Sequence, residues 1–265
     1  MSAPVLSAPV SGTPVLVARG LELRHPGAAA PVLSGFDLSL AQGEVVAILG
    51  PSGVGKSSLL RVLGGLQPPS TGRVLMEGVP LDEVHPRLAV AFQDPCLLPW
   101  LSLEANVAFG LDFKRQPALS RAERQARVDE AINEVGLSHA RRFQPSALSG
   151  GMAQRTALAR CLARKPRVLL LDEPFGALDE VTRAQMQDLL LKVVADFGTA
   201  AILVTHDIDE ALLLADRLVL LGGAPARQIG AWNLDLPKPR RDFLVELGAL
   251  RLDILKALRH AVRPH

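Results

Sequence analysis

Residues 50–58 read Gly-Pro-Ser-Gly-Val-Gly-Lys-Ser-Ser and fit the pattern G-x-x-x-x-G-K-[ST]. Glycines have no Cβ, so the backbone can curl until successive N–H groups point at an anion at the start of the following helix. Lys56 adds a charge for the β and γ phosphates, and the Ser57 hydroxyl is an oxygen ligand for Mg²⁺. The predicted nucleoside triphosphate site comprises Gly50, Pro51, Ser52, Gly53, Val54, Gly55, Lys56, Ser57 and Ser58. An ordinary glycine turn is disfavoured by the apolar run before it and the helical pattern after it.

Two adjacent carboxylates, Asp172 and Glu173, end the apolar run RVLLLDEP. One can orient Mg²⁺ through water while its neighbour polarises an attacking water. Acidic residues also end strands without any catalytic role, and this alternative stays open for the run by itself. The phosphate-binding pattern in the same chain favours the catalytic interpretation.

A second anion site at a helix start is predicted in LSGGMAQR, residues 148–155. Ser149 and the amides of Gly150 and Gly151 stand directly before a helical pattern, where N–H groups and the helix dipole attract anions. One nucleotide does not need two phosphate-binding segments from the same chain. If two copies of the chain pair head to tail, this segment of one copy can contact the γ-phosphate held by the other. The alternative is a plain Ser-Gly-Gly helix cap.

The elements that position these residues are short apolar strands and the helices between them. Continuous apolar runs, typical of strands covered on both faces, occupy residues 44–49, 167–172, 200–205 and 217–221. One intervening helix is marked by apolar residues at helical spacing and a glycine stop, namely Met186, Leu189, Leu190, Val193, Val194, Phe197 and Gly198. The alternation predicts a mostly parallel sheet with helices on its faces.

The middle of the chain, about residues 94–147, lacks apolar strand runs and predicts a helical lobe inserted into the α/β core. Within it, Ser120 and Glu123 have the spacing of a capping box. The apolar face of the helix that follows is formed by Val128, Ala131, Ile132 and Val135. Residues 240–265 predict a helix or a pair of helices that packs on the core.

Composition limits the classes of partner. The chain has 265 residues, 48% of them hydrophobic, with 29 basic and 27 acidic residues and no long run of like charge, so no nucleic-acid partner is expected. Cys96 and Cys161 suit reduced thiols. Residues 1–14 lack the features of a secretory signal and are expected to form a disordered lead. The apolar runs are far shorter than the ~20 residues of a spanning helix, so any membrane role must come from a partner.

Several motifs occur together in a fixed order. The pattern at 50–57 is followed by Gln93, and then come LSGG at 148–151, LLLDEP at 169–174, GALD at 176–179 and VTHD at 204–207. This ordered set resembles ATP-binding cassette (ABC) ATPases over roughly residues 15–235. The resemblance implies an α/β P-loop NTPase core with a mostly parallel sheet, an antiparallel N-terminal β portion and an inserted α-helical subdomain.

The resemblance also implies roles for individual residues. Glu173 is the catalytic base, Gln93 couples the Mg²⁺ site to the helical lobe, and His206 contacts the γ-phosphate. The implied residues around Mg²⁺ are Ser57, Gln93 and Asp172. Asp179 bridges two chains. A histidine at a strand end is otherwise more often structural, so that alternative stays open for His206.

Within this superfamily, the segments at 92–111, 186–190 and 236–241 are similar to importers for nitrate, taurine and aliphatic sulfonates. Met152 stands where the general pattern often has glutamine, and it also fits this branch. The apolar run CLLPW, residues 96–100, can form the lip of a groove for a permease helix or a small core patch of the helical lobe.

The aromatic residue that usually stacks on adenine is missing, since the chain has no tyrosine. His25 lies near that place in the sequence and is the candidate for this contact. A loop histidine exposed to water is an equally good interpretation.

The predicted domains are an ABC ATPase domain at 15–240 and a C-terminal helical extension at 241–265. The predicted cofactors are ATP and Mg²⁺, and the predicted function is ATP hydrolysis that drives import of a small oxyanion, with aliphatic sulfonate favoured over nitrate or taurine. The resemblance implies a homodimer beneath an integral-membrane permease dimer, on the cytoplasmic face of the inner membrane, with an extracytoplasmic binding protein delivering substrate. The alternatives are a soluble ABC protein acting on DNA or ribosomes and a P-loop small-molecule kinase.

Overall fold

The computed structural model describes residues 14–25 and 27–262. They divide into two compact units, the first formed by the described residues up to 84 and from 200 onward, the second by residues 85–199. The predicted lead at residues 1–14 falls outside the described residues except for Pro14, which begins the first strand.

The first unit opens with an antiparallel sheet in the strand order β2-β1-β4-β5. Its strands are β1 (Pro14–Leu23), β2 (Leu33–Ala41), β4 (Thr71–Met76) and β5 (Val79–Pro80). In β2, Leu38 and Leu40 are buried whereas Asp37, which precedes Leu38, is exposed. This alternation is typical of a sheet that is covered on one face. The antiparallel N-terminal portion expected from the resemblance is confirmed.

The first unit also contains a mainly parallel set of strands in the order β10-β9-β3-β8. These are β3 (Val45–Leu49), β8 (Ala200–Thr205), β9 (Arg217–Gly222) and the antiparallel β10 (Arg227–Asn233). Every residue of β3, β8 and β9 is buried, which explains why these strands are apolar apart from Thr205 at the end of β8 and Arg217 at the start of β9.

The helices of the first unit are α1 (Lys56–Leu63), α6 (Ile208–Leu214) and α7 (Leu244–Val262). α7 packs on α6, β9 and β10, so the C-terminal pattern forms one helix up to Val262. Before it, the Arg240 guanidinium is buried and donates to the carbonyls of Leu212, Ala215, Leu234 and Leu236. These bonds fix the segment that leads into α7.

The second unit contains the parallel strands β6 (Leu88–Ala91) and β7 (Val168–Asp172). Its α-helices are α2 (Leu103–Ala108), α3 (Arg121–Glu134), α4 (Gly150–Leu162) and α5 (Glu180–Phe197), and short 3₁₀ turns lie at Ser138–Ala140 and Pro145–Ala147. The unit includes more of the chain than the predicted helical lobe, because it also contains β6, β7, α4 and α5. The domain boundaries predicted from sequence therefore stay a prediction.

Helix ends in the second unit follow the sequence signals. The Ser120 hydroxyl accepts from the Glu123 N–H at 3.2 Å, and the Glu123 carboxylate accepts from the Ser120 N–H at 2.8 Å, so the predicted capping box is confirmed. Gly198 ends α5 in the left-handed conformation, with φ 58°.

Two further observations concern the cysteines and the apolar segments. Cys96 and Cys161 are free thiols, and burial raises the pKa of Cys161 to about 11. Between residues 14 and 262, leaving out Pro26, no helix is both long and apolar enough to cross a membrane.

Candidate phosphate-binding and carboxylate site

The glycines of the phosphate loop are required for different reasons. A Cβ on Gly50 would lie 2.9 Å from the Leu221 carbonyl oxygen of β9, so Gly50 permits a close backbone approach. Gly53 and Gly55 have φ of 80° and 97°, a conformation that L side chains rarely adopt. A Cβ on Gly55 would in addition lie 2.9 Å from Val32 Cγ1. The backbone conformation of the loop therefore favours glycine over any other residue at these three positions.

Lys56 is folded back on its own loop. The side chain is buried, and Nζ donates to the carbonyls of Gly50 at 2.8 Å and Pro51 at 3.1 Å. These bonds satisfy a buried ammonium and hold its charge at the start of α1. Ser57 beside it is exposed to solvent.

The start of α1 differs from the starts of α2 to α6. Those helices begin at a serine or aspartate whose side chain accepts from a backbone N–H, namely Ser102, Ser120, Ser149, Asp179 and Asp207. The N-cap of α1 is Gly55, which has no side chain to accept a bond. The first-turn N–H groups of α1, together with Lys56, thus suit an anion supplied from outside. The residues present fit a triphosphate and, through the exposed Ser57 hydroxyl, its Mg²⁺.

His206 lies at the same end of the strands as this loop. The parallel pairing of β3 with β8 matches Leu49 to Thr205, so Gly50 and His206 each follow a paired residue. His206 is exposed, and the turn after it is fixed because the Asp207 N–H donates to the Thr205 hydroxyl at 3.1 Å. Within the first unit, the structure therefore brings the predicted loop and the predicted histidine to one edge.

The carboxylates and Gln93 lie at one edge of the strands in the second unit. The pairing of β6 with β7 matches Ala91 to Leu171, so Gln93 and Glu173 both follow at one edge, two residues beyond that pair. A Cβ on Gly176 would lie 3.8 Å from Gln93 Nε2, and the Gly176 N–H donates to the Glu173 carbonyl at 3.3 Å. Asp172 ends β7. Glu173 has φ 45°, a strained backbone for a non-glycine residue.

Ser149 caps α4 with its hydroxyl, which accepts from the Met152 N–H at 3.3 Å. Gly150 is exposed, whereas a Cβ on Gly151 would lie 2.5 Å from Thr182 Cγ2. Asp179 caps α5 and is also exposed. The backbone N–H and then the hydroxyl of Thr182 lower the pKa of Asp179 below its ordinary value.

The structure gives His25 an exposed position, with its carbonyl accepting from the Ala28 N–H. Val32, from the same loop, is the residue placed against Gly55. Adenine stacking by His25 stays a prediction.

Comparison with known proteins places the chain in a family. The family model described as "ABC transporter" matches residues 33–176, a range that includes the phosphate loop, Ser149 and Glu173. The chain belongs to the ABC transporter family, and its activity is ATP hydrolysis coupled to transport. The family resemblance and the fold class expected from sequence are thereby confirmed.

Individual relatives and a solved structure agree with this assignment. The aliphatic sulfonates import ATP-binding protein SsuB 1 of Xanthomonas axonopodis pv. citri is 48% identical over 86% of this chain and 90% of its own length. The taurine import ATP-binding protein TauB of Chromobacterium violaceum is 48% identical over 80% of each chain. The dimeric ATP-binding cassette MJ0796, in a post-hydrolysis state bound to ADP and Pi, aligns with a TM-score of 0.73 at 29% identity, over 84% of this chain and 100% of that one.

Two longer relatives match over part of their length. A bicarbonate transport protein and a nitrate import ATP-binding protein of Synechocystis sp. are 47% and 44% identical, and this chain spans 31% of each.

Sequence reasoning missed residues that support the site from outside the motifs. Thr182, Val32 and Leu221 each lie against a glycine of the predicted site. No sequence pattern around these three residues predicts this role, since they lie in an ordinary helix, loop and strand. The tight glycine contacts appear only once distant segments have packed.

Proposed function

We propose that this chain is the ATPase subunit of an importer for a small oxyanion, with aliphatic sulfonate as its cargo. The observation that carries the nucleotide part is the glycine N-cap of α1 beside the buried Lys56. The sulfonate relative, matched along most of its length, supports the cargo. Taurine is the next candidate, followed by nitrate and bicarbonate.

In this proposal the loop binds the triphosphate through its backbone and Lys56. The ammonium exchanges the carbonyls of Gly50 and Pro51 for β- and γ-phosphate oxygens, which are stronger acceptors because they are charged. Ser57, Asp172 and Gln93 are the residues assigned to Mg²⁺, which would supply positive charge to offset the charge on the phosphates.

Hydrolysis is assigned to Glu173 and His206. The Glu173 carboxylate polarises the attacking water and accepts its proton. His206 donates a hydrogen bond to a γ-phosphate oxygen. The strained backbone of Glu173 supports this assignment, because such strain concentrates at functional positions.

Ser149, Gly150, Gly151 and Asp179 are assigned to the nucleotide of a second copy. Each begins a helix or lies in its first turn and is exposed or half-buried, so another chain's phosphate can reach the same N–H groups. ATP then joins two copies, and hydrolysis releases them.

The permease is proposed to dock on a groove of the second unit, which we call the α2–α3 groove. It has a volume of about 530 Å³, and its apolar lining includes Leu101, Ala105, Phe109, Phe113 and Val128. Glu104, Asp112 and Arg124 add charge to the lining. Such an apolar groove with charged neighbours suits an amphipathic helix at the cytoplasmic face of the inner membrane.

The loop that displays Trp100 near this groove is held firmly. Asn106 is fully buried, and its amide donates to the carbonyls of Leu98, Leu101 and Ser102 at 3.1 Å while accepting from the Leu98 N–H at 2.8 Å. Trp100 nevertheless is 71% exposed. A large apolar side chain on a fixed loop supports the lip predicted from sequence over the core-patch alternative.

The hydrolytic part is tested with Glu173→Gln. We expect ATP binding to persist, hydrolysis to stop, and an ATP-dependent dimer to accumulate on size-exclusion chromatography. Glu130→Gln, an exposed carboxylate of α3, is the control that keeps hydrolysis. A Glu173→Gln protein that stays monomeric at millimolar ATP would contradict the pairing.

The docking part is tested with the complete transporter in vesicles. Trp100→Ala and Phe113→Ala should lower permease-stimulated hydrolysis at least tenfold, while Val245→Ala, which truncates an exposed apolar residue of α7, should not. Unchanged stimulation in both groove variants would exclude this groove as the docking site.

The cargo is tested by growth of a strain lacking the gene. We expect loss of growth on an alkanesulfonate as sole sulfur source and normal growth on sulfate. Normal growth on alkanesulfonate together with a defect on taurine, nitrate or bicarbonate would move the proposal to that anion.

A further inference from the structure

Thr182, in the first turn of α5, contacts two segments of the second unit at once. Its backbone N–H and hydroxyl donate to the two carboxylate oxygens of Asp179, at 3.0 and 2.7 Å. Its methyl carbon is 2.5 Å from the position that a Cβ on Gly151 would occupy. Asp179 and Gly151 belong to different motifs, 28 residues apart in the sequence.

We propose that Thr182 is a positioning residue that couples the Asp179 carboxylate to the backbone of the Ser149–Gly151 segment. The inference rests on the proposed function, in which both segments act on the nucleotide of a second copy. Thr182 itself is not assigned any contact with nucleotide.

The coupling follows from the branching of threonine. The hydroxyl and the methyl group share one Cβ, so rotation of χ1 that moves the methyl away from Gly151 also takes the hydroxyl away from Asp179. Serine keeps the hydroxyl alone, and valine keeps the methyl alone. The chain thus provides two near-isosteric changes that separate the contacts.

The neighbouring contacts limit other ways to relax. The Arg183 guanidinium donates to the Leu178 carbonyl at 2.9 Å and to the Phe175 carbonyl at 3.4 Å, which fixes the turn before α5. Arg155 of α4 donates to the Gln185 side chain of α5 at 2.6 Å. A side chain added at Gly151 therefore meets Thr182 with little freedom for α4 and α5 to shift.

The Arg155–Gln185 bond also supplies a matched control. Gln185→Ala removes an exposed contact between the same two helices without touching Asp179 or Gly151. If packing of α4 on α5 were all that mattered, Gln185→Ala and Thr182→Val would have similar effects.

The test measures steady-state ATP hydrolysis by the full chain for Gly151→Ala, Thr182→Ser, Thr182→Val, Gln185→Ala and the double variant Gly151→Ala/Thr182→Ser. We expect Gly151→Ala and Thr182→Val to lower kcat about tenfold with KM for ATP within twofold of the original, because the phosphate loop is untouched. Thr182→Ser and Gln185→Ala should stay within about threefold. Thr182→Ser should restore most of the kcat lost in Gly151→Ala.

Two results would overturn the inference. One is a double variant no faster than Gly151→Ala, and the other is a Thr182→Val protein as active as Thr182→Ser. Calorimetric ATP binding by each variant confirms that the chain has folded. Ser149→Ala separates the two proposals. If Ser149→Ala hydrolyses ATP at the full rate, the proposed function of the Ser149–Gly151 segment fails. If Ser149→Ala is inactive but Thr182→Ser does not restore hydrolysis to Gly151→Ala, only the role of Thr182 is excluded.

Discussion

The start of α1 and the start of α4 use the same residue types, glycine and serine, in different ways. At α1 the N-cap is Gly55, and the charge of Lys56 is held beside it. At α4 the N-cap is Ser149, whose hydroxyl already accepts from the Met152 N–H. At α1 no side chain caps the helix, so its N–H groups suit an anion from outside, whereas at α4 the Ser149 hydroxyl already accepts from one N–H of the first turn. This difference leads us to assign the two segments different roles in the proposed function.

The largest expected effect breaks the α1 side of the comparison. Lys56→Ala removes the charge that we assign to the phosphates. We therefore expect the Kd for ATP to rise tenfold to a hundredfold, in line with the about 1.5–3 kcal/mol of a hydrogen bond to a charged group. Calorimetry measures it, with Arg61→Ala in the last turn of α1 as the control. Undiminished affinity would refute the loop as the binding site.

A second pair of variants tests whether the α4 cap has a duty beyond capping. Ser149→Ala and Ser120→Ala each remove an N-cap hydroxyl, at 3.3 and 3.2 Å from its donor, and each should cost about 1 kcal/mol of unfolding free energy in urea. Only Ser149→Ala should also lower hydrolysis, by at least tenfold. Equal hydrolysis by both proteins would leave Ser149 as a cap and nothing more.

The glycines of the loop give a graded effect on stability. Gly53→Ala places a side chain in left-handed backbone with no heavy atom within 4 Å and should cost about 1–2 kcal/mol. Gly55→Ala adds a contact with Val32 Cγ1 at 2.9 Å and should cost about 1 kcal/mol more. Thermal unfolding measures both, and Val32→Ala should recover the excess. A Gly55→Ala protein as stable as Gly53→Ala would show that this contact relaxes freely.

The smallest effect is a pKa. The Ser120 hydroxyl, followed by the Ser120 N–H, lowers the pKa of Glu123, whereas α4 has Met152 at the equivalent place and no carboxylate to return the bond. Since the folded pKa lies below the unfolded one, the stabilisation is complete above the unfolded pKa and is lost as pH falls through the folded pKa. Ser120→Ala should raise the pKa of Glu123, as followed by NMR titration. An unchanged pKa would argue against the hydroxyl as the main cause.

Much of the fold follows from local signals. The unbroken apolar runs of β3, β7, β8 and β9, the Ser120–Glu123 box and the Gly198 stop are each set by a few neighbouring residues, so their positions were predictable. The motif order likewise identified the residues of the candidate site, because loop and strand-end chemistry depends on spacing along the chain.

Contacts made by distant segments could not be predicted. The approach of Gly50 to the Leu221 carbonyl depends on the pairing of β3 with β9, and the contact of Gly151 with Thr182 depends on how α4 meets α5. The strained φ of Glu173 is also invisible, since a glutamate after a strand normally adopts ordinary backbone angles. In each case the sequence gives the residue type, and packing gives the reason for it.

The left-handed backbone of Glu173 has a consequence for protein engineering. Glycine adopts this conformation without strain, so Glu173→Gly is expected to melt at a higher temperature while losing the carboxylate that we assign to hydrolysis. Backbone preference and catalysis therefore favour different amino acids at this position. A design for thermostability that considered backbone geometry alone would choose glycine here, and the resulting protein would be more stable but unable to hydrolyse ATP.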